Sequence, residues 1–183
     1  MSLKYILLGF LNIHCMTGYK LKQLLDDSIN NFWSVNLSQI YPTLNEMKKD
    51  GFLDVDIQIN EGTPNSKIYY ITEKGKIELD KWMKETTPLP QTRKLFLAKL
   101  LIGTHFSNDL VINQLEEQLS LHEEALESLK KRFEAEPVAM CDIKNIEKHK
   151  LFRQLIIDAG IKEEKASIEW CKETIEILRK SKF

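Results

Sequence analysis

Asn36-Leu37-Ser38-Gln39-Ile40-Tyr41-Pro42-Thr43-Leu44-Asn45-Glu46-Met47-Lys48-Lys49-Asp50-Gly51-Phe52-Leu53 is the stretch on which the fold turns. Asn36 is a good helix N-cap, and Gln39 three residues later can return the bond, as in a capping box. Leu37, Ile40, Leu44 and Met47 recur at helical spacing and predict a buried stripe. Pro42 removes one backbone bond and predicts a bend. Gly51 is the expected stop. Strict alternation follows, with Leu53, Val55, Ile57 and Ile59 on one side and Asp54, Asp56, Gln58 and Asn60 on the other, which predicts a strand. Gly62, Pro64 and Asn65 form a turn, Lys67 to Ile71 return as a second strand, and Thr72 caps a helix carrying Ile77, Leu79, Trp82 and Met83. A helix followed closely by a two-stranded wing is one way to set a helix into a DNA groove. The stretch contains no candidate catalytic group.

Upstream, apolar residues at 3, 6, 7, 10 and 11 predict a helix over Leu3 to Ile13. A second begins after the Met16-Thr17-Gly18 break, buries Leu21, Leu24, Leu25, Ile29 and Phe32, and closes the core with Phe32 and Trp33. Downstream, Pro88 and Pro90 mark a boundary beyond which the pattern is helical only. Ile112, Leu115, Leu119, His122, Leu126, Leu129 and Phe133 alternate three and four apart, a heptad seam capped by Ser107 and ended by Pro137. A last helical region from about Ile143 to Arg179, bent near Gly160, repeats the seam with Ile161, Ile168, Cys171, Ile175 and Leu178. Two such helices make an antiparallel hairpin, a coiled-coil dimer arm, or both. The expected fold is mainly α with a small β-wing: a winged helix-turn-helix at 1–87, then a helical domain at 92–183.

The chain has 183 residues and a net charge of -1, so it is no general polycation. Cys15, Cys141 and Cys171 are odd in number, with no C-x-x-C, which supports neither a zinc knuckle nor a disulfide framework. The longest apolar run, Tyr5 to Leu11, falls short of the roughly 20 residues that span a bilayer. The expectation is a cytoplasmic protein without membrane, metal or cofactor. Seven glycines and no G-x-G-x-x-G or G-K-[ST] leave nucleotide-dependent catalysis unsupported. No nucleophile with a base and no paired acids appear, so catalytic residues are not expected. His14, His105 and His149 lack partners at metal-ligand spacing. His122 reads as a register device or a satisfied polar group in the seam. Trp33, Trp82, Trp170, Phe96 and Phe106 are packing residues or the lining of an apolar ligand pocket.

If the wing unit binds DNA, the third helix presents Ser38, Gln39, Thr43 and Asn45, with Tyr41 and Pro42 beside them. Gln and Asn pair with adenine edges, and Thr and Pro touch a thymine methyl. Lys48 and Lys49 at the helix end, Lys20 and Lys22 on the second helix and Lys67 on the wing are placed for phosphates. Against this, residues 1–86 hold ten lysines, no arginine and eleven acids, so one unit alone should bind weakly and two joined units far better.

The chain resembles the PadR family of bacterial transcriptional regulators over essentially its whole length. The resemblance rests on Leu7-Leu8-Gly9-Phe10-Leu11, on Thr17-Gly18-Tyr19-Lys20-Leu21, on Phe32-Trp33 followed by Ser38 to Leu44, on Gly51-Phe52-Leu53, and on Lys67 to Thr72 with Gly75. The helical second half, with Trp170 late in it, looks like the longer subfamily with a virulence-activator-like C-terminal domain. The resemblance implies a homodimer whose C-terminal helices hold two winged helices on a double-stranded promoter pseudo-palindrome. It implies repression by promoter occupancy, with release by a small aromatic effector in some members. Carried over by position, Ser38, Gln39, Tyr41, Pro42 and Thr43 face the groove, and Tyr19 and Lys67 lie near the backbone. The dimer interface then falls on the seams: Ile112, Leu115, Leu119, His122, Leu126 and Leu129, with Ile168, Cys171, Ile175 and Leu178. Tyr70 stands where the family often has a basic residue. The rival from another class is a winged-helix protein-interaction module that dimerises without touching DNA. The acidic balance of the first half favours the rival; the Ser38-to-Leu44 match favours the repressor.

Overall fold

Caps and turns set the element boundaries in the first half of the chain. The computed structural model describes residues 2–29, 33–59, 65–89, 94–134 and 146–181. The chain divides into two compact units, the first built chiefly on residues up to Pro88 and the second on Leu89–Pro137 and Glu147–Phe183.

The first unit runs α1 (Ser2–Ile13), β1 (Met16–Thr17), α2 (Gly18–Ser28), α3 (Leu37–Lys49), β2 (Leu53–Gln58), β3 (Ser66–Ile71) and α4 (Glu73–Met83). At the end of α3, Gly51 takes φ 76°, a left-handed conformation that favours glycine. Its N–H bonds Lys48 O at 3.0 Å while Phe52 N–H bonds Met47 O at 2.9 Å, the paired bonds of a Schellman stop. Thr72 then does two jobs. Its hydroxyl accepts from Gly75 N–H at 3.1 Å, capping α4, and donates to Gly51 O at 2.8 Å. Lys74 Nζ donates to Asp50 O at 2.7 Å. The start of α4 is thereby tied to the end of α3.

Two expected strands are three in the structure. The antiparallel sheet has the order β1-β3-β2, with Met16 opposite Tyr69 and Thr17 opposite Ile68. Leu53 faces Ile71, Val55 faces Tyr69 and Ile57 faces Lys67 across β2 and β3. Leu53 and Tyr69 are buried with Leu7, Leu21, Ile40 and Leu44 in one core, so this face of the sheet is the inner one. The core ends before the wing tip. Ile57 is 64% exposed and Ile59 81%, although both alternate in step with the buried Leu53. Leu37, expected in the buried stripe, is also exposed, as are Ile77 and Met83 on α4. The apolar stripe of α3 narrows to Ile40, Leu44 and Met47. Trp33 is exposed rather than core-closing, and Phe32, Gly62, Pro64, Pro90, Pro137 and Cys141 lie outside the described residues.

A polar clamp holds α1 to α4. Glu78 Oε1 accepts from Lys4 Nζ and from Tyr5 OH, both at 2.9 Å, and the Tyr5 ring stacks on Trp82 at 4.9 Å. Bonds from Lys4 and Tyr5 hold the Glu78 carboxyl below its ordinary range. A depressed carboxyl stabilises the fold above the unfolded pKa, and that contribution is lost as pH falls through the folded pKa. Glu78→Gln is therefore expected to melt earlier than the native chain at neutral pH, by no more than about 1 kcal/mol for so accessible a pair. The gap should close as pH falls through and below the ordinary carboxylate range. Parallel melting curves across that range, with an unchanged gap, would contradict the clamp.

The second unit holds α5 (Leu95–Ile102), a 3-10 turn (Gly103–His105), α6 (Asn108–Glu134) and α7 (Ile146–Lys180). Ser107 Oγ accepts from Leu110 N–H at 3.4 Å at the start of α6. Helices α6 and α7 form an antiparallel hairpin. Asn108 Nδ2 donates to Leu178 O at 3.3 Å and to Ser181 Oγ at 2.9 Å. At the far end Arg153 donates to Arg132 O at 2.7 Å. Between them lie the ion pairs Arg179–Glu116 at 2.7 Å and Lys172–Glu123 at 3.0 Å. The two seams meet within one chain: Ile112, Leu115, Cys171 and Ile175 are buried together, with Leu119 and Leu178 against them. Helix α7 is one continuous helix through Gly160. A Cβ at residue 160 would lie 3.3 Å from Leu129 Cδ1, so this glycine serves the close approach of α6.

Candidate nucleic-acid interface

Helices α2 and α3 with strands β2 and β3 make the first unit a winged helix-turn-helix. Local bonds fix what α3 can present. Gln39 Oε1 accepts from Asn36 N–H at 3.0 Å, one arm of the expected capping box. A bidentate pair with adenine needs both the oxygen and the amide group of glutamine. The bond from Asn36 takes one lone pair of Oε1 and turns the amide toward the helix start, leaving the second lone pair and the amide N–H groups to offer. Thr43 Oγ1 donates to Gln39 O at 2.7 Å, which uses its one donor and leaves the oxygen as an acceptor and the methyl as the groups to offer. Ser38, Gln39, Pro42 and Asn45 are exposed and Thr43 half-buried. Pro42 sits inside the helix, and lacking an N–H it leaves Ser38 O without its helical donor. Tyr41 is 41% exposed, with its ring against Gly18.

The cations separate into two groups. Lys4, Lys76 and Lys84 are each paired with a carboxylate on α4, and Lys74 is bonded to Asp50 O. Lys22, expected on a phosphate, is held by Asp26 one turn away on α2. Lys20 on α2, Lys48 and Lys49 on α3 and Lys67 on β3 have no ion-pair partner among the described residues, and Lys81 on α4 is likewise unpaired. Lys48, Lys49 and Lys67 are exposed, as is Tyr19 at the start of α2. Four lysines and four acids of residues 1–86 pair with each other, which leaves the balance unchanged. Acids neutralise Lys4, Lys76 and Lys84 at the α1 and α4 side and Lys22 on α2, and Lys20, Lys48, Lys49 and Lys67 have no acid paired with them among the described residues. The signal missed by counting was spacing: Lys22 precedes Asp26 by four residues, as Lys84 follows Asp80, both at ion-pair spacing on a helix.

Five of the ten seam residues expected at a dimer interface are buried within a single chain. Leu115 is 0% exposed and Cys171 1% within a single chain, and Ile112, Leu129 and Ile175 are also buried. A side chain already covered by its own chain offers little to a second copy. His122 Nδ1 lies 2.5 Å from Glu164 Oε2 on α7, a partner inside the hairpin. Leu119, Leu126, Ile168 and Leu178 are half-buried. The aromatic set also splits. Phe96 and Phe106 line one pocket of about 250 Å³ with Leu100, Val111, Lys99 and Gln114. Trp170 meets Phe96 edge to face at 6.3 Å, Trp82 is stacked on Tyr5, and Trp33 stands in the first unit. Among the described residues no group of three or more His, Cys, Asp and Glu side chains could hold a metal ion, and no helix is long and apolar enough to cross a membrane.

Comparison with known proteins agrees with this architecture. Residues 7–81 match the Transcriptional regulator PadR-like family, and residues 92–179 match Virulence activator alpha C-term. The negative transcriptional regulator PadR of Bacillus subtilis is 26% identical over 97% of this chain and 98% of its own length. A probable transcriptional regulator of Mycobacterium tuberculosis is 27% identical over the full length of both chains. The crystal structure of Bacillus subtilis PadR in complex with operator DNA superposes with a TM-score of 0.83 at 24% identity, covering 97% of this chain and 99% of that one. The same protein in complex with p-coumaric acid superposes at 0.79 and 24% identity, over 98% and 100% of the two chains. At this identity the superpositions establish the fold. The sequence relatives are transcriptional regulators and not enzymes.

Proposed function

We propose that this chain, which belongs to the PadR-like family of transcriptional regulators, is a cytoplasmic, sequence-specific DNA-binding repressor acting as a homodimer on a promoter pseudo-palindrome. The observation that carries this reading is the partition of the lysines. Four of the five unpaired lysines of the first unit stand on α2, α3 and β3, the elements that surround the polar face of α3. Such a distribution suits a phosphate backbone, which rewards unneutralised cations. The domain division at about 87–92 is part of the proposal, with the winged helix reading DNA and the helical unit joining two copies.

Two open apolar patches support the homodimer. One, on α5 and the start of α6, exposes Leu97, Leu101, Phe106 and Leu110; the other, early in α7, exposes Leu151, Phe152, Leu155 and Ile156. They lie at opposite ends of the hairpin, since α7 begins beside the end of α6. A two-fold axis sets the first patch of each copy on the second patch of the other, and both are covered at once. The seams then build each hairpin, and the patches join the pair. An effector that releases the DNA completes the proposal. The pocket beside Phe96 and Phe106 is apolar, with Lys99 and Gln114 as its polar groups, which suits a small aromatic acid. Bacillus subtilis PadR, the related regulator, has been crystallised with p-coumaric acid.

The lysine partition makes a numerical prediction. Lys20, Lys48, Lys49 and Lys67 in two copies give eight phosphate contacts. The logarithm of the binding constant should then fall with the logarithm of salt with a slope of roughly -7. Anisotropy titrations of the dimer on duplex DNA over a salt series measure it. Lys67→Gln should flatten the slope by about two per dimer, and Lys76→Gln should leave it unchanged. A slope insensitive to both substitutions would contradict the assignment.

A further inference from the structure

Tyr41 was expected to touch bases, yet its ring has another occupation. Gly18 is the first residue of α2, and a Cβ built on it stands 2.7 Å from Tyr41 Cε1, 3.1 Å from Tyr41 Cζ and 3.3 Å from Leu44 Cδ1. Carbon atoms separate to about 3.5–4.0 Å at their optimum, so any larger residue at 18 displaces the ring. The glycine side of this contact is anchored on both flanks. Thr17 pairs with Ile68 of β3, and its hydroxyl accepts from Lys20 N–H at 3.2 Å, capping α2. The tyrosine side is one turn from Ser38 and one turn from Asn45, the polar residues that α3 presents. Beneath it, Tyr69 is buried; burial first, and the nearby Tyr41 second, push its phenol up. The sheet, α2 and α3 thus meet at one ring.

We infer that Tyr41 is a positioning residue for DNA recognition, its ring packed on Gly18 to set the angle at which α3 offers Ser38, Gln39 and Asn45, and not a base reader through its hydroxyl. The inference rests on the reading of α3 as the recognition helix. It separates ring from hydroxyl: packing needs the first, and a base contact by hydrogen bond needs the second.

The experiment uses the full-length protein, a duplex selected by the native protein from a random pool, and a scrambled duplex, with anisotropy as the readout. Tyr41→Phe is expected to match the native protein on both duplexes within about twofold. Gly18→Ala and Tyr41→Ala are each expected to weaken the selected duplex by about tenfold or more, the scale of one lost base contact, and to spare the scrambled one. Since both remove the same packing, the double variant should bind like Tyr41→Ala alone. A Tyr41→Phe loss equal to that of Tyr41→Ala would overturn the inference, as would losses that add in the double variant or native-like binding by Gly18→Ala. Should Gly18→Ala fail to fold, the comparison of Tyr41→Phe with Tyr41→Ala decides alone. If the native protein selects no sequence at all, the DNA reading itself has failed, before any variant is made.

Discussion

Lysine in place of Leu101 or Leu155 is expected to turn a dimer into monomers in analytical ultracentrifugation and to weaken operator binding by about 10²–10⁴-fold, the gain that a linked second contact supplies. Leu101 is 76% exposed and Leu155 56% in the single chain, so neither substitution disturbs the fold of the hairpin. In the dimer each lysine would place an unpaired cation in an apolar contact, a penalty that neither water nor a partner relieves. Leu119 makes the opposite case. It packs against the buried Ile112, Leu115, Cys171 and Ile175 of its own chain. Leu119→Lys should lower the melting temperature, with any dissociation following from the damaged hairpin. Dimers that survive both Leu101→Lys and Leu155→Lys would remove the patches from the interface and return it to the seam.

Leu115→Ala is expected to destabilise the second unit by about 2–5 kcal/mol, the range for a fully buried leucine whose cavity does not collapse. The residue is 0% exposed in one chain, so the loss should appear even at protein concentrations too low for dimers. Leu121→Ala, six residues on along α6 but 58% exposed, should change stability by less than about 0.5 kcal/mol. Urea unfolding at two protein concentrations separates the two accounts of the heptad seam. A loss at Leu115 that disappears on dilution would mean that the seam is completed by a second copy.

These two predictions turn on something that a heptad pattern cannot carry. The alternation of Ile112, Leu115, Leu119, His122, Leu126 and Leu129 says that one side of α6 needs an apolar partner; it says nothing of whether that partner is the same chain or another. Here the return helix supplies a partner within the chain, because Cys171 and Ile175 reach the same cluster. Elsewhere the sequence was legible where the signal was local. Asn36 with Gln39, Gly51 and Thr72 each mark a boundary through a bond made within three residues or through a backbone angle that glycine tolerates. The strand Met16–Thr17 was not legible, since two residues cannot show a period of two and Thr17 also serves as a helix cap. Ile57 and Ile59 show a related limit: alternation identifies the inner face of a strand but not where the core beneath it stops.

The site was legible by residue type and less so by role. Gln39, Tyr41 and Thr43 do lie on α3, but each has a local engagement: a cap, a glycine, a carbonyl. Lys22 is withdrawn by Asp26. These engagements depend on neighbours at three and four residues, or on a chain crossing between residues 18 and 41, and a list of groove-facing positions does not contain them. The charge balance does not say which lysines are paired, because each pair removes one lysine and one acid and leaves the sum as it was.

The central claim is that α3 reads DNA sequence from two joined copies. Selection from a random duplex pool by the full-length protein, followed by anisotropy on the enriched and a scrambled duplex, tests it most directly. The account predicts convergence on a two-fold-related pair of half-sites, bound about 10³-fold or more tighter than the scrambled duplex at the same salt. A pool that fails to converge, with equal binding to every duplex, would contradict it and leave the winged helix as a protein-interaction module.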